Sequence, residues 1–288
     1  MNIKKIAMTA LAGALLIGTA GCANNKKNDN NSNEAMSNSN ASVEKSNKNA
    51  GKMEKKDLVV FAAASMTEAL EELKTEFEKE NPNLSLTFNF DSSGTLKTQI
   101  DEGADCDVFV SAAQKQMDEL DKEDKIDKET RFDLLENEVT LAVAKGNEKE
   151  IKDFKDLEKD EVEKIALGNA DVPVGQYSEE ILKNLGIWDK IQDKVTLGSN
   201  VKEVTSWVSE KAADCGIVYK TDAKTAGLET VAVADDSMLE NKVIYPAALL
   251  KNSKNPEEGK KYLEFLKGEK ASEILDKYGF KPLNKGIK

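Results

Sequence analysis

The sequence predicts an α/β fold built on mostly parallel sheets that are flanked by helices. Short apolar runs rich in β-branched and aromatic residues alternate with segments whose apolar residues recur at helical spacing. The clearest unit is 58–70, LVVFAAASMTEAL, in which a buried-strand pattern passes directly into a helical one. Repetition of this order along the rest of the chain indicates layers of helices on sheets.

A capping-box signature follows the first strand. Ser65 precedes Glu68 by three residues, the spacing at which the two side chains cap one helix start. Leu70, Leu73 and Phe77 continue the helical pattern. A strand that turns into a helix presents backbone N–H groups and a hydroxyl, which bind anions without a charged side chain. The alternative is that Ser65 is a helix cap with no further role.

The first residues predict a lipoprotein signal peptide over 1–21. Two lysines precede an apolar run over 6–20, which is too short and wrongly flanked for a permanent membrane span. The segment 19–22, TAGC, resembles a bacterial lipobox, with threonine where leucine is commoner. The resemblance implies cleavage before Cys22, a lipid anchor on its sulfur and a location on the extracytoplasmic face of the cell membrane. The alternative is ordinary secretion with an unmodified cysteine.

Residues 22–56 are predicted to be the lipidated cysteine followed by a disordered tether. Of the 34 residues after Cys22, 22 are Asn, Ser or Lys and none is aromatic. Such a segment cannot bury enough apolar surface to offset the entropy of ordering it. We therefore expect a flexible spacer between the membrane and a folded part that begins at Asp57.

The folded part is strongly acidic. Lysines exceed acidic residues by five up to Lys56, and the whole chain carries −12, so about −17 falls on the remainder. This charge argues against nucleic acid as a partner. An anionic ligand would have to be held by local geometry against the overall field.

Missing residue types exclude several kinds of chemistry. The chain has no histidine, which removes Ser–His–Asp and Cys–His catalysis. Arg131 is its one arginine, and we expect it to form a structural ion pair. Cys106 and Cys215 form no C-x-x-C pair, so no zinc site is indicated. Two buried free thiols are expected, with a disulfide between them as the alternative.

Further strands and helices are predicted in alternation. Strand patterns occupy 84–90, 108–110, 139–144, 165–167, 195–197, 216–219, 231–234 and 243–250, the last with a break at Tyr245-Pro246. Helical patterns begin near Leu96, Phe154, Gln176, Val201, Asn255 and Ala271.

Donor groups recur where these strands end. Ser65, Ser93, Val174 and Val201 each stand in a loop that follows a strand and starts a helix, and Tyr219 ends another strand. Ligands of open α/β sheets lie beyond the carboxyl ends of strands. The groups on offer are hydroxyls and backbone amides, so no acid–base chemistry is implied. For each residue the structural alternative is a cap, a turn or a core position.

The motifs at these loops resemble those of molybdate-binding proteins of ABC importers. The matching segments are FAAAS at 61–65, SSGTL at 92–96, DVFVSA at 107–112, VPVG at 172–175, GIVY at 216–219 and KYGF at 277–280. They stand in the family's order and cover 58–280. Each motif alone is weak, but the set is specific.

The resemblance implies a two-lobed periplasmic-binding-protein type II fold with the ligand in the cleft between the lobes. Lobe I would comprise 57–136 and 243–288, and lobe II would comprise 137–242. The protein would act as a monomer without a cofactor and without catalysis. Its partners would be molybdate or tungstate, the permease subunits of an importer, and the membrane through Cys22.

The same resemblance assigns roles to the five residues. Ser65 and Ser93 would offer hydroxyls and backbone N–H groups, Val174 and Val201 backbone N–H groups, and Tyr219 its phenolic O–H. Many relatives carry alanine where Val174 stands, which an amide role tolerates. Molybdenum would be reached only through its oxygens, with no protein ligand on the metal.

The expected chemistry of the site suits a fully deprotonated dianion. Molybdate only accepts hydrogen bonds, whereas phosphate keeps a proton that a selective site would have to accept. Sulfate differs from molybdate mainly in size, and tungstate hardly differs, so we expect tungstate to bind comparably. The alanines at 62–64 favour molybdate, since tungstate-specific relatives carry threonines there.

Two alternatives remain open at this point. One is a binding protein for another tetrahedral oxyanion, namely a tungstate-specific, sulfate or thiosulfate binder. The other is a surface hydrolase with Ser65 or Ser93 as nucleophile. Without histidine such an enzyme would need a lysine base, for which the sequence has no motif.

Overall fold

The computed structural model describes residues 55–235 and 237–284, which form two sheets flanked by helices. The strands are β1 (Lys56–Ala63), β2 (Leu84–Asp91), β3 (Val108–Val110), β4 (Phe132–Asn137), β5 (Val139–Val143), β6 (Ile165–Gly168), β7 (Val195–Gly198), β8 (Cys215–Tyr219), β9 (Glu229–Val233), β10 (Val243–Leu249) and β11 (Lys281–Pro282). The α-helices are α1 (Thr67–Glu80), α2 (Ser93–Asp101), α3 (Gln114–Lys122), α4 (Pro173–Asn184), α5 (Trp188–Ile191), α6 (Val201–Ser209), α7 (Lys220–Thr225), α8 (Pro256–Leu266) and α9 (Glu269–Tyr278).

The first sheet has the order β11-β4-β10-β3-β1-β2. β1 is parallel to β2 and β3, whereas β10 is antiparallel to β3 and β4. The second sheet has the order β7-β6-β8-β5-β9, with β6 parallel to its neighbours and β5 antiparallel to its own. The α/β class is as predicted, but the sheets are mixed rather than mostly parallel.

The antiparallel pairs arise where the chain changes sheets. β4 ends in the first sheet at Asn137 and β5 begins in the second at Val139. The chain returns with β10, whose Val243 pairs with Asn137. Because β10 starts beside the point where β4 ended, the two strands must run in opposite directions. The predicted break in β10 appears as a register shift at Tyr245-Pro246.

Each sheet has a buried apolar core. Leu58 and Val60 of β1 are fully buried, as are Leu73 and Phe77 on the inner face of α1. The Phe77 ring meets Tyr262 of α8 edge-on, with centroids 5.1 Å apart. Burial of such rings contributes most of the packing energy in a core of this kind. α1, which follows the turn that carries Ser65, is thus fixed to the first sheet.

The two cysteines in the described part of the chain are free and buried, as predicted. Burial raises the pKa of the Cys215 thiol to about 12, and it raises the pKa of Cys106 as well. Both thiols therefore stay protonated and unreactive near neutral pH.

Over residues 55–235 and 237–284, no helix is long and apolar enough to cross a membrane. The predicted signal peptide, the lipidation site Cys22 and the tether up to residue 54 lie outside the described residues.

Candidate anion site between the two sheets

Ser65 lies in a short 3₁₀ turn, Ala64–Met66, directly after β1. α1 begins only at Thr67, and its cap residue Met66 makes no side-chain capping bond. The predicted capping box is therefore wrong. Instead, the buried Ser65 hydroxyl lies 3.0 Å from the Tyr245 hydroxyl, because the 3₁₀ turn carries it over the sheet towards β10.

Ser93 is the first residue of α2, at the carboxyl end of β2. Its neighbour Ser92 is the helix cap and accepts a hydrogen bond from the Thr95 N–H at 3.1 Å. Because Ser92 caps the helix, the Ser93 hydroxyl is free for another contact. It accepts the Ala112 N–H, from the loop after β3, at 2.9 Å.

Tyr219 ends β8 in the second sheet and is 2% exposed. Its hydroxyl donates to the Ala112 carbonyl at 3.3 Å, across from the second sheet to the first. Burial raises the pKa of Tyr219 well above its ordinary value, so the hydroxyl keeps its proton and remains a donor.

Val174 is the second residue of α4, after Pro173. The first N–H groups of a helix have no acceptor within it, so this end of α4 offers backbone donors. Gly175 allows the helix start to lie against β6, because a Cβ there would collide with the Gly168 carbonyl.

Val201 is the first residue of α6, and the Asn200 side chain caps that helix by accepting the Glu203 N–H at 3.1 Å. Because the Asn200 side chain accepts the N–H of the third residue, it does not occupy the Val201 N–H. α6 packs against the turn Ala64–Met66, which brings this helix start close to the Ser65 segment.

Contacts between the two sheets join the loops that carry these residues. The Gly94 N–H of α2 donates to the Asp171 carbonyl, in the loop before α4, at 3.0 Å. The bond from Tyr219 to Ala112 makes a second junction, and the packing of α6 on the turn at 64–66 makes a third. Their five residues, Ser65, Ser93, Val174, Val201 and Tyr219, are each at most 5% exposed. The loops predicted to hold the ligand thus contact one another across the two sheets, and the predicted residues on them are buried.

The charged side chains next to these loops form ion pairs with one another. Lys202, next to Val201, contacts Glu68 at 2.8 Å and the buried Asp222 at 3.2 Å. Burial raises the pKa of Asp222 to about 6, and the Lys202 ammonium limits this rise. Because Lys202 has two carboxylate partners, it leaves no net positive charge for an anion.

Arg131 forms a structural ion pair, as predicted, and its partners do not belong to these loops. Its guanidinium bonds to Asp118 and Gln114 at 2.5 and 2.6 Å. In the described ranges, no group of three or more acidic or cysteine side chains could hold a metal ion.

Two further residues contact these loops, Tyr245 and Asn137, and neither was predicted from the sequence. The Tyr245 hydroxyl contacts both Ser65 and the Asn137 side-chain amide, which also bonds to Thr221. The rings of Tyr219 and Tyr245 meet edge-on, with centroids 5.6 Å apart. In the sequence, only the predicted break at Tyr245-Pro246 marks this strand as irregular. Nothing there indicates which side chains Tyr245 contacts.

A separate cleft of about 720 Å³ lies between α3 and α4, and none of the five residues lines it. Its lining has Lys115, Lys122 and Lys242, matched by three acidic residues, Asp118, Glu119 and Glu180. With balanced charge of this kind the cleft is a poor candidate for an anion site.

Comparison with known proteins places the chain in a family. Residues 58–281 match the family of bacterial extracellular solute-binding proteins. The chain belongs to that family. Its members are the substrate-binding components of transporters, so this solute-binding protein acts outside the cytoplasm together with a membrane permease.

Individual relatives agree with this assignment. The ABC transporter substrate-binding lipoprotein YvgL of Bacillus subtilis is 37% identical over 239 residues, which cover 82% of this chain and 90% of that protein. The molybdate-binding protein ModA of Haemophilus influenzae is 38% identical over 230 residues, 77% of this chain and 89% of its own. The periplasmic molybdate-binding protein of Azotobacter vinelandii superposes with a TM-score of 0.70 at 25% identity, covering 77% of this chain and 98% of its own. These matches confirm a two-lobed binding protein of the periplasmic type.

Proposed function

We propose that this solute-binding protein captures molybdate, and tungstate with similar affinity, and delivers it to the permease of an ABC importer. The observation that supports the proposal is that buried, uncharged donor positions from both sheets lie on loops that contact one another. Ser93 and Tyr219 both bond to the backbone of Ala112, and burial keeps the Tyr219 hydroxyl protonated. Molybdate needs donors and no acceptor, and this set offers just that chemistry.

The two lobes of the proposal are 57–136 with 243–288, and 137–242. The anion would be enclosed when the loops of the first sheet meet those of the second, as in the contact between Gly94 and Asp171. Enclosure removes water and strengthens each hydrogen bond to the charged ligand. Selection against the smaller sulfate would come from the separation of the lobes at closure.

The remaining parts of the proposal concern location and partners. Cys22 would carry a lipid that anchors the protein on the extracytoplasmic face of the membrane, with 23–56 as the tether. The protein would work as a monomer that binds and releases its anion unchanged, without catalysis. The lipoprotein name of the Bacillus subtilis relative supports the anchor.

Calorimetric titration of serine variants with molybdate tests this function. Ser65→Ala and Ser93→Ala should each weaken binding by about 1–3 kcal/mol, the range for a lost hydrogen bond to a charged, desolvated group. Ser272→Ala is the matched control, since that hydroxyl bonds to the Asn284 carbonyl beside α9. Two serine variants that bind molybdate like the unchanged protein would refute the site.

A further inference from the structure

A chain of hydrogen bonds leads to Ser65 from the place where the polypeptide changes sheets. The Glu138 N–H donates to Asn137 Oδ1 at 2.9 Å. Asn137 Nδ2 lies 3.2 Å from the Tyr245 hydroxyl, which lies 3.0 Å from Ser65 Oγ. Asn137, Tyr245 and Ser65 are at most 5% exposed, so water does not compete for these bonds.

The directions of the bonds made by the Asn137 amide follow from the first member of the chain. A backbone N–H can only donate, so it fixes the oxygen of the Asn137 amide towards Glu138. The amide nitrogen then faces Tyr245 and Thr221, at 3.2 and 3.0 Å, and donates to both. Neither the Asn137 amide nitrogen nor its hydrogens can take the Tyr245 proton, so we infer that the Tyr245 O–H donates to Ser65 Oγ, which lies 3.0 Å away.

With this direction, Ser65 Oγ accepts one bond and keeps one further lone pair. Among the residues that the structure describes, no acceptor is bonded to the Ser65 proton. A bound ligand or water would have to accept that proton. Leaving that hydrogen without an acceptor in a buried place is unfavourable, which favours a bound anion.

Ser93 reaches the same condition by a shorter route. The Ala112 N–H donates to Ser93 Oγ at 2.9 Å, and in the described part of the chain this hydroxyl has no further acceptor. Both serines thus receive a bond whose direction is set by a backbone N–H. In both, the hydroxyl proton has no partner among the described residues and is available for a ligand.

We propose that Asn137 and Tyr245 are specificity-determining positioning residues, which hold Ser65 as a hydrogen-bond donor and so exclude oxyanions that carry a proton. The inference deepens the proposed function and rests on it. A protonated oxyanion such as hydrogen phosphate brings a hydrogen that needs an acceptor, and Ser65 could accept it only by leaving its own proton without a partner. Without Tyr245, Ser65 could rotate and accept.

Calorimetric titration of Tyr245→Phe with molybdate and with inorganic phosphate tests the inference. Molybdate affinity should fall about tenfold and phosphate affinity should fall less or rise, so the ratio of the two affinities should drop. Tyr262→Phe is the matched control, because in the described structure this buried hydroxyl has no hydrogen-bond partner. It should leave both affinities unchanged. A purely structural role for Tyr245 would lower both affinities by the same factor and would overturn the inference.

A double-mutant cycle shows whether Tyr245 acts through Ser65. In a Ser65→Ala background, Tyr245→Phe should no longer change the ratio, since the hydroxyl it orients is gone. An unchanged effect in that background would overturn the inference. If Tyr245→Phe does not fold, Asn137→Leu replaces it, with the same fall in the ratio expected. Failure of the unchanged protein to bind molybdate would instead refute the proposed function.

Discussion

Lys202 Nζ donates to both carboxylate oxygens of Glu68, at 2.9 and 2.8 Å. α6, which carries Lys202, packs on the second sheet, whereas α1, which carries Glu68, packs on the first. The ion pair therefore joins the half of the protein built on the first sheet to the half built on the second, beside the candidate site. Since the pair can form only when these two halves are in contact, part of its energy should appear in ligand affinity.

Glu68→Gln should weaken molybdate binding about two- to fivefold. The side chains are 37% and 31% exposed, and exposed ion pairs of this kind contribute at most about 1 kcal/mol. Titrations at low and high salt measure the effect, which should shrink as salt screens the pair. Glu72→Gln is the control, because Glu72 lies on the same helix but pairs with Lys277 of α9 within the first half. Equal losses in the two variants would contradict a role for the pair in closure.

Gly94→Ala should impair binding by preventing the loops from meeting. A Cβ at this position would lie 2.8 Å from the Asp171 Cα and closer still to the Asp171 carbonyl oxygen. The clash arises between the two halves, so we expect unfolding without anion to be unchanged and molybdate affinity to fall at least tenfold. Thermal unfolding and calorimetry on the same sample separate the two effects. Unaltered affinity would show that this contact is not needed for binding.

Val201→Pro tests the backbone donor at the start of α6. Proline is well tolerated at the first position of a helix, where it removes the N–H, and it also replaces the buried Val201 side chain. The preceding Asn200 is extended, at φ −155° and ψ 171°, which suits a following proline. We expect molybdate affinity to fall by about 1–3 kcal/mol, with helix content by circular dichroism unchanged. Val201→Ala keeps the N–H and should bind as before. Equal affinities of the Pro and Ala variants would exclude this amide from the site.

Asp222→Asn should alter how stability depends on pH. Burial raises the pKa of Asp222 to about 6, so the folded protein holds this proton more tightly than the unfolded chain does. The stabilisation from that proton is fully present below the unfolded pKa and is lost as pH rises through about 6. Relative to the unchanged protein, the variant should therefore gain about 2–3 kcal/mol of unfolding free energy between about pH 4 and pH 7. Urea unfolding without anion measures the difference, and a pH-independent difference would contradict the assignment.

Local patterns in the sequence were sufficient to place several candidate residues in the fold. Ser93, Val174 and Val201 were each expected where a strand leads into a helix, and they lie in the first turns of α2, α4 and α6. The strand β4 was not predicted, because Asp133 and Glu136 interrupt its short apolar pattern. Its burial depends on pairing with β10, more than a hundred residues away in the sequence.

Long-range contacts account for the other errors. Ser65 fits a capping box locally, yet its hydroxyl bonds to Tyr245, 180 residues further along the chain. The link between Asn137 and Tyr245 likewise spans 108 residues. Neither pair has a local signature, since a serine, an asparagine and a tyrosine are ordinary at strand ends. Only the fold brings them together.

Titration of the purified protein with molybdate, tungstate, sulfate and phosphate tests the central claim most directly. A site made only of hydroxyl and amide donors, sized by the meeting of two lobes, should bind molybdate and tungstate comparably, sulfate much more weakly and phosphate hardly at all. No heat with molybdate at micromolar protein, or equal affinity for molybdate and sulfate, would contradict the account.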